Sequence, residues 1–459
     1  MPVVDLVVKG GKLVTRKGLV EGGVAVDDGR ISSISKACRL PKAVKVIDCR
    51  GKIVLPGVID AHVHIFSPSW LRETFRSGTR AAALGGVTTV LDMPSMHSFA
   101  STSTRGFQRK LVHARRESYV DFGLYGGEIE HRRHLDAIPD LVVLGAIGFK
   151  MIMGGPGYIA EDILIDAFRR IALNDSVAVV HAENQTLIDH FFRLAGQKGR
   201  DDPAAWADFR PSVVEEEAIR RAALFASLAG NRLHIAHLTS ESGLRAVRTA
   251  KSANPKVTVE TCPHYLLLSA KDYRRYGHRI VVTPPIKRKE DAEALWKGIN
   301  DGTVDLISSD HCAYYKKAKD KGARSVWETP PGLPGLETML PLLLSEGVNK
   351  SRISLRRLTK MMCEAPARIF GLYPRKGTIM LGADADLTIV DLKHRYTIDS
   401  ESFECAGDFS PFDGWELRGR PVATVVRGRV VAENGQIVGS AGFGRLAKPE
   451  RNLAIHQVE

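Results

Sequence analysis

The sequence predicts an α/β fold: a (β/α)8 TIM barrel carried on a small β-sandwich domain built from both chain ends. Three observations predict it. The middle of the chain alternates eight apolar strand candidates with helix-like stretches. Both flanks are instead short β-runs punctuated by Gly and Asp-Gly, as in small sheets. And the ionisable residues of the middle gather at the C-terminal ends of its strands, the end at which such barrels build their sites.

In chain order, residues 1–55 hold "DLVVKGGKLV", "GGVAVDDGRISSIS" and the start of "AVKVIDCRGKIVLPG", the first part of the β-sandwich. Residues 56–376 hold the barrel. Its strand candidates are "GVIDAHVH", "GVTTVLDMP", "YVDFGLYGG", "LGAIGFKMIM", "SVAVVHAEN", "RLHIAHLTS", "KVTVETCPH" and "VDLISSDH". Amphipathic stretches such as "EDILIDAFRRIALN" and "PSVVEEEAIRRAALFASLAG" lie between them. A doubly wound open sheet is the competing architecture, but no Gly-rich phosphate turn follows the first strand. Residues 377–459 return to β-style in "GTIMLGADADLTIVDL" and "VATVVRGRVVAENGQIVG", the second part of the β-sandwich and a tail.

The bulk numbers narrow the function classes. With 459 residues, 44% of them hydrophobic, the chain can bury a large core. Lys+Arg number 65 against 52 Asp+Glu, a net charge of +13. No nucleic-acid-reading motif or interleaved aromatics accompany that surplus, so it reads as a basic solvated surface and no nucleic-acid partner is expected. The six cysteines form no CxxC pair, which fits a reduced, cytoplasmic protein. The opening "MPVVDLVVKGGKLV" is too short and interrupted for a signal peptide, and no apolar run approaches a membrane span.

The chemistry sits in six residues. In "GVIDAHVHIFSPSW", His62 and His64 share one face of the first barrel strand, because residues two apart on a strand point the same way. Two imidazoles aimed at one point suit a divalent metal; a pair of part-exposed histidines is the plainer alternative. Lys150 ends strand four, His181 strand five, His237 strand six and Asp310 strand eight. Burying four histidines, a lysine and an aspartate at one barrel mouth is costly unless they share a cation. A protonated lysine cannot ligate a metal. In an apolar site beside two cations its pKa falls, and the neutral amine can take up carbon dioxide as a carbamate with two metal-bridging oxygens. The alternative is a Lys150 paired with a carboxylate at the rim.

The ordered set "DAHVH", "GFKMIM", "HAEN", "HLTS", "ETCPHYL", "SSDHC" and "GLPGLETMLPLLL" resembles the cyclic amidohydrolases. These are the hydantoinases, dihydropyrimidinases, allantoinases and dihydroorotases of the amidohydrolase superfamily. The likeness runs from about Leu6 to "GFGR" near the C-terminus. It implies a hydrolase that opens a cyclic amide, ureide or imide at a ring C–N bond with two divalent ions, zinc by preference and manganese or iron otherwise. By the same resemblance, His62, His64 and Asp310 would hold the more buried ion and His181 and His237 the more exposed one. Lys150 would bridge them as N6-carboxylysine, made with carbon dioxide. Asp310 would be the catalytic base and acid. His264, in "CPHYL", would be an orienting neighbour, and a homodimer or homotetramer is implied.

The ring is less clearly written. Dihydroorotases resemble "HVHFREPG", whose arginine holds the substrate carboxylate; the matching residue here is Phe66, and Ser95 stands for their asparagine after "DMP". Hydantoinases resemble "FKMFMAYKG", whose tyrosine contacts the ring; Gly155 stands there, and Pro331 replaces their asparagine before the "GLPG"-like turn. Tyr158 is a candidate for the missing hydroxyl, and Thr283 for a residue whose main chain contacts the ring. Phe66, Trp70, Met93 and Met153 suggest apolar walls and a bulky or aromatic substrate. The basic loop "YYKKAKDKGAR" after strand eight is expected to be a solvated lid segment. The expected function is therefore hydantoinase- or dihydropyrimidinase-like. Allantoinase-type, dihydroorotase-type and acyclic amide or urea hydrolysis are alternatives. A one-metal deaminase or a catalytically inactive scaffold fits less well, because every expected metal-site position is filled.

Overall fold

A strand buried on both faces needs side chains that are apolar nearly throughout, and the eight middle runs supply them. The structure, a computed structural model, describes residues 3–66, 73–94 and 99–451. The runs form strands Val58–Val63, Val87–Asp92, Asp121–Leu124, Phe149–Ile152, Val177–His181, Arg232–Ile235, Val257–Thr261 and Leu306–Ile307. Successive strands pair in parallel, the first three in one sheet and the last five in a second, where the short strand Gly126–Gly127 adds an edge. Main-chain bonds join the two. Ile147 N donates to Leu124 O at 2.8 Å, and His64 N donates to His311 O at 2.7 Å, where Val63 and His311 form a parallel bridge. Eight strands closed in this way make a barrel.

Helices on the outside cover it. Glu161–Leu173 turns Leu164, Ala167, Phe168 and Ile171 inward, the three- and four-residue spacing of one helix face. Ser103 and Ser240 cap Thr104–Glu117 and Glu241–Ala253, each accepting from the main-chain N–H three residues on.

Both chain ends build one further hydrogen-bonded sheet of nine strands. Ile53–Pro56 is its seam: it pairs in parallel with Val4–Thr15 and antiparallel with Leu387–Thr397. Leu6, Val8, Val24 and Val26 from one end share an apolar cluster with Leu387, Ile389 and Val425 from the other. Beyond the sheet the chain returns to the barrel. Phe122 N donates to Arg445 O (3.0 Å), Ala447 N donates to Phe122 O (2.7 Å), and Arg451 reaches Ser176 Oγ (3.2 Å). This closing segment therefore straps the N-terminal ends of strands three to five, opposite the strand ends that carry the histidines.

Where sheet and barrel meet, Asp121, Asp384 and Asp386 converge. Three buried carboxylates alone could hold a cation, but here they surround the Lys376 ammonium, 2.7, 3.2 and 2.6 Å away. Arg427 also pairs with Asp121. Removing the central charge leaves the acids uncompensated. Lys376→Met is expected to lower the unfolding free energy by about 3–5 kcal/mol, measured by chemical denaturation.

Candidate active site

The strand ends bring the expected residues to one mouth. His62 closes Val58–Val63 and His64 follows it, their rings 5.3 Å apart. His62 Nε2 lies 3.2 Å and His64 Nε2 3.5 Å from Asp310 Oδ1. One donor atom from each of the three falls within 4.8 Å of the others. Across the mouth, His181 Nδ1 faces His237 Nε2 at 3.0 Å. Lys150 sits between these strands on Phe149–Ile152, buried. Two of the residues adopt left-handed backbone, His237 at φ +35° and Asp310 at φ +48°. Such conformations are uncommon outside glycine and concentrate at functional sites.

Buried carboxylates set the ring nitrogens. His62 Nδ1 lies 2.5 Å from Glu260 Oε1, which leaves Nε2 as the lone pair turned to Asp310. His181 Nε2 meets Glu183 Oε2 at 2.9 Å, which leaves Nδ1 turned to His237. Glu183 is in turn held by Arg210 Nη1 at 2.6 Å. Glu260 also faces His234, whose Nε2 is 3.3 Å away. The reading of the sequence did not assign Glu183, Arg210 or Glu260. A glutamate inside the apolar run "KVTVETCPH" was the signal available, since an isolated buried acid is expensive without a task.

The electrostatics favour neutral imidazoles and ionised acids. Burial lowers the pKa of His62, His181 and His237, the last furthest. Burial pushes the Asp310 carboxyl up, but His62, His64 and His237 outweigh it and hold it well below the usual range. Burial likewise raises Glu183, yet Arg210 and His181 bring it down to about 2. Lys150 is lowered by burial against the opposing pull of Asp310, Glu260 and Glu128. Its amine makes no ion pair with a described residue, so the rim-carboxylate alternative for Lys150 is not what the structure shows.

These residues line a cavity of about 480 Å³. Phe66, Met93 and Thr283 line it as well, although Phe66 also packs on Phe75 at 5.1 Å. Tyr158 is 52% exposed and is not among the lining residues. The Gly154–Gly157 turn carries it outward, so its hydroxyl does not replace the missing tyrosine. Met153 is buried away from the cavity, and Ile152 lines it instead. Ser95 and Trp70 lie outside the described residues. His264 is buried beside Tyr265, its Nε2 has no hydrogen-bond partner, and burial lowers it to about 4. The basic loop after strand eight is not wholly solvated. Lys319 is buried, donating to Val281 O at 2.7 Å and Pro330 O at 2.9 Å, beside the lining residues Val282 and Pro331. Phe192, Trp206 and Trp327 form an aromatic wall on the strand-five side, with ring centroids 4.8 and 5.7 Å apart.

The donor set fits divalent metal. Burial favours the neutral form of His62, His181 and His237, and Asp310 stays ionised beside His62 and His64. His237 Nδ1 is buried with no hydrogen-bond partner among the described residues, and its Nε2 confronts the nitrogen of His181 that Glu183 leaves unprotonated. A cation shared between those two facing nitrogens relieves their confrontation.

Comparison with known proteins points the same way. Residues 53–431 match the amidohydrolase family. An L-hydantoinase of Paenarthrobacter aurescens is 39% identical over 449 residues, 96% of this chain and 97% of its own. An allantoinase of Rubrobacter xylanophilus is 38% identical over 459 residues, 98% of this chain and 99% of its own. Among solved structures, an L-hydantoinase (dihydropyrimidinase) from Arthrobacter aurescens superposes with a TM-score of 0.93 at 38% identity, over 97% of this chain and 100% of that one.

Proposed function

We propose a reaction from one premise: the chain belongs to the amidohydrolase family, and within it this protein opens cyclic ureides and imides by hydrolysing a ring C–N bond, as a hydantoinase or dihydropyrimidinase does. The observation that carries the reading is the convergence of His62, His64, Asp310, His181 and His237 around a buried, unpaired Lys150. His62, His64 and Asp310 would hold one divalent ion, and His181 and His237 a second. Lys150 would lie between them as the carbamate: its neutral amine attacks carbon dioxide, an N–C bond forms and a proton leaves. Zinc is the ion this His-rich set favours. When bound, such a pair lowers the pKa of water and polarises the scissile carbonyl.

The chain's own residues do the rest. Asp310, kept ionised, takes the proton of the attacking water and passes it to the ring nitrogen as the C–N bond breaks. Glu260 and Glu183 fix the tautomers of His62 and His181, and Arg210 fixes Glu183. The aromatic wall of Phe192, Trp206 and Trp327 supports a bulky or aromatic substrate, with Phe66 and Met93 opposite. Phe66 offers no donor to a carboxylate, which disfavours dihydroorotate. A homodimer or homotetramer in the cytoplasm completes the proposal. The oligomer is checked by light scattering, and all six cysteines are free, as a reducing compartment would keep them.

The test is a ring-opening assay on zinc-loaded protein in bicarbonate buffer. The panel holds hydantoin, aryl-hydantoins, dihydrouracil, allantoin, dihydroorotate and phthalimide. Turnover of hydantoins or dihydrouracil supports the reading, and turnover of dihydroorotate alone overturns it. Glu260→Gln is expected to weaken metal binding by roughly 10–100-fold, read by competition with a chelator, because His62 loses its orienting carboxylate.

A further inference from the structure

One acid in the cavity is left over. Glu128 lines it, and its side chain makes no hydrogen bond or ion pair with any described residue. The backbone explains how it comes to be there. Gly126 and Gly127 pair with Phe149 and Lys150, and Gly127 has φ +111°. A Cβ on Gly127 would stand 2.5 Å from Lys150 O, so only glycine lets the chain run this close to strand four and deliver Glu128 to the mouth.

Glu128 faces the charges of His64, Lys150 and Lys110, none of them within ion-pair distance. Its carboxylate reaches the Gly154–Gly157 turn: a Cβ on Gly157 would lie 3.8 Å from Glu128 Oε2 and 2.9 Å from Glu130 Oε1. In the same turn, a Cβ on Gly155 would meet nothing within 4 Å. The hydantoinase likeness puts a ring-contacting tyrosine at Gly155; this chain has open space there, and Glu128 lines the same cavity. Glu130 adds negative charge but has His131 at 3.8 Å. Arg210 also lines the cavity, and its Nη1 donates to the buried Glu183 carboxylate at 2.6 Å, which compensates its charge there.

We propose that Glu128 determines specificity: its carboxylate receives a cationic or N–H-donating substituent of the substrate in the space beside Gly155, and turns away substrates whose substituent is a carboxylate. The proposal rests on the ring-opening reading for the identity of the ring, and on cavity geometry alone for the charge preference. An acceptor of this kind inside a partly dry cavity discriminates by charge because both attraction and repulsion are weakly screened there.

Three hydantoins that differ only in the 5-substituent (aminopropyl, propyl and carboxyethyl) test it. Affinity is read by calorimetry and ring opening by absorbance, on zinc-loaded protein at pH 8 and low salt. The aminopropyl compound is expected to bind at least about tenfold more tightly than the carboxyethyl compound. Glu128→Gln is expected to bring that ratio within about twofold, and Glu128→Asp to preserve its direction. In the unaltered protein the uncharged propyl compound should bind with an affinity between those of the aminopropyl and carboxyethyl compounds, which keeps the test open if a variant folds poorly. Equal affinities in the unaltered protein, a ratio that survives Glu128→Gln, or no binding of any of the three would each overturn the proposal. A charge ranking without ring opening would overturn the hydrolase reading and leave Glu128 its role; ring opening without a ranking would do the reverse.

Discussion

Lys150→Ala is expected to lower kcat/KM by roughly 10³–10⁴-fold or more and to cost the protein at least one bound metal per subunit. Lewis-acid and water-activating chemistry is worth several kcal/mol, and each 1.36 kcal/mol is tenfold in rate. The lysine itself supplies no such chemistry as an ammonium. Its proposed importance comes from its burial, which lowers its pKa and favours the neutral amine that would take up carbon dioxide. Alanine leaves the histidines in place but removes the proposed bridging oxygens. Metal content by elemental analysis is the first check, and the mass of the intact protein, 44 Da heavier when carbamylated by simple addition of carbon dioxide, is the second. A small carboxylate such as acetate supplied in solution should restore part of the activity by occupying the vacated space. Full activity with two metals retained in Lys150→Ala would overturn the carbamate assignment.

The second large effect is at Asp310. Asp310→Asn keeps the side-chain shape and one oxygen toward His62 and His64, yet amide nitrogen cannot take a proton from water and return it. Loss of general acid–base transfer costs about 10²–10⁴-fold in kcat, and KM should change little because the substitution is nearly isosteric and the apolar lining of Phe66, Met93, Trp206 and Trp327 is unchanged. Stopped-flow kinetics with circular dichroism as the fold control checks this. An equal fall in kcat and rise in KM would instead mark Asp310 as a substrate-binding group. The left-handed backbone at Asp310 sharpens the prediction, since asparagine tolerates that conformation as well as aspartate does.

The barrel and the metal-type mouth were legible in the sequence for a definite reason. Strand order, strand polarity and the position of a histidine within a strand are all local patterns, and parallel strands buried on both faces write them plainly. His62, His64, His181, His237 and Asp310 lie at or just beyond the end of such a run, while Lys150 falls second in the strand Phe149–Ile152 rather than at its end. The orienting acids were less legible because their partners are distant in sequence: Glu260 meets His62 from 198 residues away. The ring-contacting side chains were harder still. Tyr158 is only three residues from Gly155, but the Gly154–Gly157 turn aims it at solvent, and a turn's direction depends on dihedral angles that no alignment position records. Lys319 shows the opposite error. A run of basic residues reads as a solvated loop, yet one lysine in it folds inward to hold two carbonyls.

The nine-stranded sheet has a consequence for how the protein is made. Its seam strand Ile53–Pro56 finds one neighbour in Val4–Thr15, already synthesised, and the other in Leu387–Thr397, which the ribosome reaches only after the whole barrel. At about 5–20 residues per second, that wait is on the order of tens of seconds. Through it the N-terminal hairpin carries Leu6, Val8, Val24 and Val26 without the partners from the other chain end that finally cover them. Until then this end of the chain exposes apolar surface of the kind that makes a nascent chain prone to aggregate. Strands from Leu387 onward complete the sheet, and residues 445–451 strap the floor of the barrel, so one late-made part of the chain seals both.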